Sequence, residues 1–176
     1  GIDAEYVGAP NGNVNGNVPS YSFIASEIIY EPDYPSPIYT AAQIKFALAE
    51  ASMKGWNVNG DAATFYEEAI SASMEYWGVE ATDIQSYITA HPYAGIATIA
   101  YEKWVALYLN GAEAWAEWRR LDAPALTPSS YANDPRIPVR HAYDASISDN
   151  NAANYQEMIQ FQGPDNLHTK LWWDVN

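Results

Sequence analysis

From Ile38 onward the apolar residues return at helical intervals. Ala41, Ile44, Leu48 and Ala51 fall at i, i+3, i+7 and i+10, and Ala42, Phe46, Ala49 and Met53 make an adjacent stripe. So wide an apolar face predicts a helix packed on more than one side, with Gly55 as its stop. Asp61 is placed to cap a second helix, whose stripe is Ala62, Phe65, Ala69, Ala72 and Tyr76. Glu67, Glu68, Ser71 and Glu75 lie on its other side, and Gly78 closes it. A short loop and small residues where the helices cross predict an antiparallel hairpin.

The second helix carries Ala62-x3-Tyr66-x2-Ala69, the spacing of the second helix of a tetratricopeptide (TPR) repeat. Glu50 stands where that repeat prefers glycine, so the unit is TPR-like. Beyond it, Thr82 is expected to cap a short helix to Thr89, ended by His91-Pro92. Ala94 to Leu109 predicts a long helix with Ala97, Ala100, Trp104 and Leu107 on one face and Tyr101, Val105 and Tyr108 on a neighbouring one. Asn110-x-x-Glu113 fits a capping box for one more helix through Leu121. Pro124, Pro128, Pro135 and Pro138 mark a loop tail. A last helix is expected from Ser148 or Asn150 to Phe161, with Leu171-Trp172-Trp173 as an extended apolar plug.

Residues 1–37 break this pattern. Asn11-Gly12-Asn13-Val14-Asn15-Gly16-Asn17 holds Asn-Gly pairs that favour turns, and Pro32, Pro35 and Pro37 forbid a continuous helix. Ser20 to Tyr30 is expected to supply one short strand. The chain therefore divides into an irregular region, 1–37, with a possible ligand-facing role; a TPR-like helical region, 38–121; and a proline-rich tail with one helix, 122–176, packing on the helical core. The fold class is mainly α: TPR-like hairpins with long irregular loops. Gly1 followed by Ile-Asp-Ala-Glu suggests a processed or engineered start, and the sequence is expected to be a piece of a longer one.

Composition narrows the function classes. Only 17% of the 176 residues are charged, yet acids outnumber bases 22 to 8, for a net charge of −14. Such a surface repels phosphate backbones and anionic headgroups, so nucleic acid is not an expected partner, whereas neutral ligands such as sugars are tolerated. There are no cysteines, and hence no disulfides, thiolate metal sites or cysteine nucleophiles. No stretch approaches the ~18 apolar residues of a membrane span. The aromatics are 14 Tyr and 7 Trp against 4 Phe. Rings with one apolar face and a polar edge suit sugar stacking, and equally the margins of a helical core.

Candidate chemistry is sparse. His91, His141 and His168 are far apart and lack zinc-site spacing, so neither a metal nor another cofactor is expected. Glu67-Glu68 are neighbours that point to different faces, and Glu113 and Glu117 sit near a helix start that favours acids anyway, so neither pair resembles a glycosidase dyad. Asp144 to Asn151 holds many side-chain oxygens without EF-hand spacing and is expected to be a capped turn. Arg119, Arg120, Arg136 and Arg140 are all the arginines of the chain. They suit guanidinium forks tying the proline-rich tail to helix carboxylates such as Glu113, Glu117 or Asp122; a site for an acidic sugar is the other reading.

A family resemblance rests on an ordered series of short motifs. Ala49-Glu50-Ala51 resembles the "AEA" of SusD/RagB-type nutrient-binding proteins. Lys103-Trp104-Val105-Ala106-Leu107, followed by the run Asn110 to Arg120 (NGAEAWAEWRR), is similar to that family's "QKW-a-L…G-eAWaE-RR" signature. Pro124-Ala125-Leu126, Ile137-Pro138-Val139-Arg140 and Lys170-Leu171-Trp172-Trp173-Asp174 follow in the family's order, and Tyr6-Val7-Gly8 precedes them. Glu102 stands where the family often has Gln, and Asp144 follows Tyr143 where it often has Pro. The resemblance implies a helical SusD-like fold and a non-catalytic subunit that binds glycan or another nutrient. It also implies a SusC-type TonB-dependent transporter as partner, docking with the N-terminal half of the same protein, and an outer-membrane, cell-surface location through a lipidated N-terminal segment absent from this chain. A TPR-like protein–protein adaptor and, more remotely, a glycoside hydrolase are the rival classes.

For ligand binding the 1–37 loop is the expected surface, with Asn11, Asn13, Tyr21, Tyr30 and Tyr34 as candidates; a loop packed on the rest of a longer protein would use the same residues structurally. Trp104, Trp115, Arg119 and Arg120 are expected to be structural. If Trp104 and Trp115 are core rings, truncating either to alanine costs ~3–5 kcal/mol.

Overall fold

The structure is a computed structural model that describes residues 7–9 and 21–175. Among the described residues it contains eight α-helices and no strand. They divide into two compact units: one built from the described residues up to Ser36 together with Thr127–Trp172, the other from Pro37–Leu126 with the residues from Trp173 on.

The second unit opens with the expected hairpin, α2 (Ala41–Met53) and α3 (Ala62–Tyr76). Thr40 and Gln43 form a capping box: Thr40 N donates to Gln43 Oε1 at 2.8 Å, and Gln43 N donates to Thr40 Oγ1 at 3.3 Å. Asp61 caps α3 as expected, accepting from Thr64 N at 3.0 Å. Between them Gly60 lies so close to Phe65 that a Cβ there would meet its ring at 2.4 Å, a fit open only to glycine. The core is Ala42, Phe46 and Ala49 of α2 against Phe65, Tyr66, Ala69 and Ile70 of α3, extended by Ile84, Ile88 and Ile99. Alanines at the crossing let the backbones approach, and the large rings fill the space beside it.

α2 packs against both α3 and α5, as its wide apolar face predicts, but part of that face stays open. Ala42, Phe46 and Ala49 are buried, while Ile44 and Met53 of the two predicted stripes are exposed. Tyr76, placed by periodicity in the α3 stripe, is exposed as well. Three further helices follow: α4 (Ala81–Ala90), α5 (Ile96–Ala106) and α6 (Gly111–Leu121). Two predicted caps are absent. Glu80, not Thr82, occupies the N-cap of α4, and Thr82 O instead accepts from Ser86 Oγ. Asn110 does occupy the N-cap of α6, but at φ −114° and ψ 66° it lies outside the extended region from which a side chain reaches the first amides. The helix predicted over Ala94 to Leu109 is shorter, because Leu109 turns left-handed at φ 67°.

In the first unit the expected strand within Ser20 to Tyr30 is instead one helical turn, α1 (Ser26–Ile29). A strand with no neighbour would leave its amides unpaired, whereas the turn lets Ile29 N and Tyr30 N donate to Ala25 O and Ser26 O. The predicted final helix is two helices, α7 (Ala145–Asn150) and α8 (Ala152–Gln162), broken at Asn151. Asp144 caps α7 through Ser146 N at 2.8 Å, the capped turn expected there. Trp172, predicted as part of an apolar plug, is 86% exposed.

Candidate functional site

Within the first unit, a buried ion pair stiffens the proline-rich segment. Arg140 Nη2 donates to Asp165 Oδ1 at 3.1 Å, and both side chains are almost fully enclosed. Asp165 also accepts from Tyr143 N and, at 3.0 Å, from the Tyr155 hydroxyl. The bond to Asp165 pushes the Tyr155 phenol up from its ordinary value. Of the predicted ligand residues, Asn11 and Asn13 lie outside the described residues. Tyr21 and Tyr34 are half-buried, and Tyr30, just after α1, is 80% exposed. Phe23 is exposed on the same segment.

The second unit carries an aromatic surface that periodicity did not single out. Tyr76 and Trp77 sit at the end of α3, with ring centroids 5.0 Å apart at 87°. Trp77 in turn meets Tyr108, just past α5, at 5.6 Å and 64°. All three rings remain substantially exposed. Each helix end is followed by a left-handed residue. Gly78 at φ 74° adopts this conformation without strain and closes α3 with Val79 N donating to Met74 O at 3.1 Å. Leu109 at φ 67° does so at a cost of roughly 1–2 kcal/mol, and its exposed side chain recovers little of that by burial. The available sequence signal was a helix end: a ring followed by glycine, beyond the last position a core stripe can use.

Charged side chains join the hairpin to the helices that follow. Arg120 donates through Nη1 and Nη2 to the two oxygens of Glu50 at 2.7 and 2.6 Å, and through Nη2 to Glu117 at 2.7 Å. Lys54 reaches Glu50 at 2.7 Å, and Lys103 reaches Glu117 at 3.0 Å. The Arg120 fork, outweighing the effect of burial, lowers the Glu50 carboxyl to about 2. Burial pushes Glu117 up, but Arg120 and Lys103 more than offset it, and its pKa is lowered on balance. The acid at the position where a TPR repeat prefers glycine is thus the anchor of a clasp between α2 and α6.

The arginines do not tie the tail to helix carboxylates as expected. Arg120 joins two helices, while Arg136 and Arg140 pair with Asp134 and Asp165 inside the proline-rich segment itself. Arg119 stacks on Trp115 at 4.1 Å and on Trp173 at 4.8 Å. Trp104 and Trp115 are half-buried, so the figure for a fully buried ring is too large. We expect Trp104→Ala and Trp115→Ala each to cost ~1.5–3 kcal/mol in urea denaturation, the range for partial loss of a large buried side chain.

Neither Glu117 nor Glu68 is placed to act as a general acid. Glu117 is held ionised by two cations, which is the opposite of a general acid, and Glu68 is paired with Lys45. Among the described residues no cluster of His, Cys, Asp or Glu is placed to hold a metal, and no helix is long and apolar enough to cross a membrane.

Helical hairpins clasped by charge, with amphipathic rings at their open ends, define a TPR-like helical scaffold. A SusD-like family model, described as "Starch-binding associating with outer membrane", matches residues 2–144, and the chain belongs to that family. No curated protein matches the chain at a significant level. Among solved structures, a chitin-binding protein is 32% identical over 77% of this chain and 33% of its own, with a TM-score of 0.68. A chitin-binding SusD homologue from Flavobacterium johnsoniae is 26% identical over 77% of this chain and 36% of its own, at a TM-score of 0.66. A SusD homologue from Bacteroides vulgatus is 27% identical over 89% and 39%, at a TM-score of 0.76. The chain spans about a third of the length of these structures.

Proposed function

We propose that the chain is part of a non-catalytic glycan-capture protein on the bacterial cell surface. It would present neutral oligosaccharide to a SusC-type TonB-dependent transporter and be held at the outer membrane through a lipidated N-terminal segment outside these 176 residues. The observation that carries the reading is an exposed cluster of amphipathic rings, Tyr76, Trp77 and Tyr108, on a scaffold of a family described as starch-binding. Two structural neighbours named as chitin-binding support a polysaccharide ligand. Apolar ring faces stack on the C–H face of a pyranose while hydroxyl and indole N–H groups bond its oxygens. Tyr21, Tyr30 and Tyr34 of the first unit form a second candidate surface.

Calorimetry with malto- and chito-oligosaccharides tests this. Binding without turnover is expected, and Trp77→Ala or Tyr108→Ala should weaken it about tenfold, ~1.4 kcal/mol per lost stacking ring. Tyr30→Ala reports on the other surface. Turnover abolished by a single Glu→Gln change would defeat the non-catalytic reading. The adaptor reading has one observation in its favour. Tyr101, Val105 and Tyr108 are exposed at i, i+4 and i+7 of and beyond α5, a spacing that suits a partner helix. Capture of a protein partner lost in Val105→Glu, with no sugar affinity, would favour it.

A further inference from the structure

Glu102 is a buried acid held by a phenol. It lies on α5 at 6% exposure, and both its oxygens accept from the single hydroxyl of Tyr87 on α4, at 3.1 and 3.2 Å. Among the described residues it forms no ion pair. The adjacent Lys103 is turned away to Glu117 on α6. The titratable groups facing Glu102 are the phenol of Tyr66 on α3 and, from α4, the phenol of Tyr87 and the ring of His91. His91 stacks on Tyr87 with centroids 4.0 Å apart at 22°, and its Nδ1 lies 2.9 Å from Tyr87 O. Tyr66 donates its hydroxyl to His91 O at 3.0 Å. One carboxyl therefore sits beneath the residues that hold the end of α4 against α3.

We propose that Glu102 makes this joint proton-sensitive: with the carboxyl neutral the packing of α5 beneath Tyr66 and Tyr87 is stabilised, and with it ionised that packing is weakened. The physical reason is the loss of hydration. A carboxylate here exchanges its water shell for one phenol bond, whereas the neutral acid has far less hydration to lose and can still bond Tyr87. Burial accordingly raises the Glu102 pKa, against smaller opposing effects of the Tyr87 bond and of charge on His91. The same carboxylate and its burial raise the Tyr87 phenol, so the phenol remains a donor throughout the working range.

The direction follows from linkage. A folded-state pKa above the unfolded value means the native state binds the proton more tightly. The stabilisation is complete below the ordinary value of 4.5 and is lost as pH rises through the folded value. Glu50 and Glu117 act in the opposite sense, weakening the fold as pH falls below 4.5.

The test compares thermal melts of the full chain and Glu102→Gln across pH. The neutral amide should melt with the parent near pH 4.5 and above it at pH 7.5. A difference that does not change with pH overturns the proposal. Tyr87→Phe removes the donor that the carboxylate needs, so it should lower the melting temperature more at pH 7.5 than at pH 4.5; the reverse order counts against the proposal. Should the amide variant not fold, carbon-detected NMR of the parent reads the Glu102 carboxyl directly. A midpoint at or below 4.5 overturns the proposal on its own. The readout does not involve any sugar, so it stands or falls apart from the glycan reading.

Discussion

Replacing Phe46 with alanine should lower the stability of the helical unit by about 3–5 kcal/mol, the range for deleting a large, fully buried ring. Phe46 is 1% exposed and meets the Tyr66 ring edge-on at 6.3 Å, and Tyr66 continues to Tyr93 at 5.7 Å. The same cluster holds Ala42, Ala49 and Ala69, whose side chains have no rotamers with which to fill a void, beside Phe65, Tyr66 and Ile70. Phe46→Leu keeps most of the volume and should cost less than ~1.5 kcal/mol. Urea denaturation followed by circular dichroism measures both. If Phe46→Ala unfolds at the parent's midpoint, the hairpin does not pack as described.

The second large effect concerns the clasp. Arg120→Ala leaves Glu50 and Glu117 without their shared guanidinium, with Lys54 still on the first and Lys103 on the second. Removing one partner of a fully buried pair costs about 3–5 kcal/mol. The Arg120 side chain is 36% exposed and two lysines remain, so solvent screening reduces the expectation to ~2 kcal/mol. Arg120→Lys should recover less than half of that, because an ammonium cannot reproduce the fork on Glu50 and the bond to Glu117 at once. The variant should also change the response to acid. Glu50, lowered to about 2, contributes stability that is present above 4.5 and lost as pH falls from there toward 2. Without Arg120 much of that loss disappears, and the acid limb of a stability–pH curve flattens. An unchanged acid limb would show that Arg120 is not the group holding Glu50 ionised.

The hairpin was legible because its cause is local. Periodic alanines and aromatics over 41–76, a capping Asp61 and glycines at the helix ends act within a few residues of one another. The series of short motifs placed the chain in its family for a related reason: it records side chains that recur at set intervals, whatever they touch. Individual caps were less legible. Thr40 with Gln43 forms a box that periodicity overlooked, while Asn110 with Glu113 matches the pattern and forms none. The difference lies in backbone angles imposed by the neighbouring turn at Leu109. The candidate site was the least legible part. Tyr76 fits a core stripe by spacing yet is exposed, and Trp77 joins Tyr108 from 31 residues away in sequence.

The sequence by itself determined a helical scaffold, its TPR-like hairpin and a surface too acidic for polyanions, since these depend on spacing and on summed charge. Only the tertiary structure decided which acids meet cations and which do not. Glu50 and Glu102 are both buried acids on apolar helices, and along the chain Glu50 differs chiefly in having Lys54 four residues on. Arg120 arrives at the first from 70 residues away, while Tyr66, Tyr87 and His91 face the second. Charge interactions act through space and fall off within a few ångströms, so they are settled when helices dock and not before.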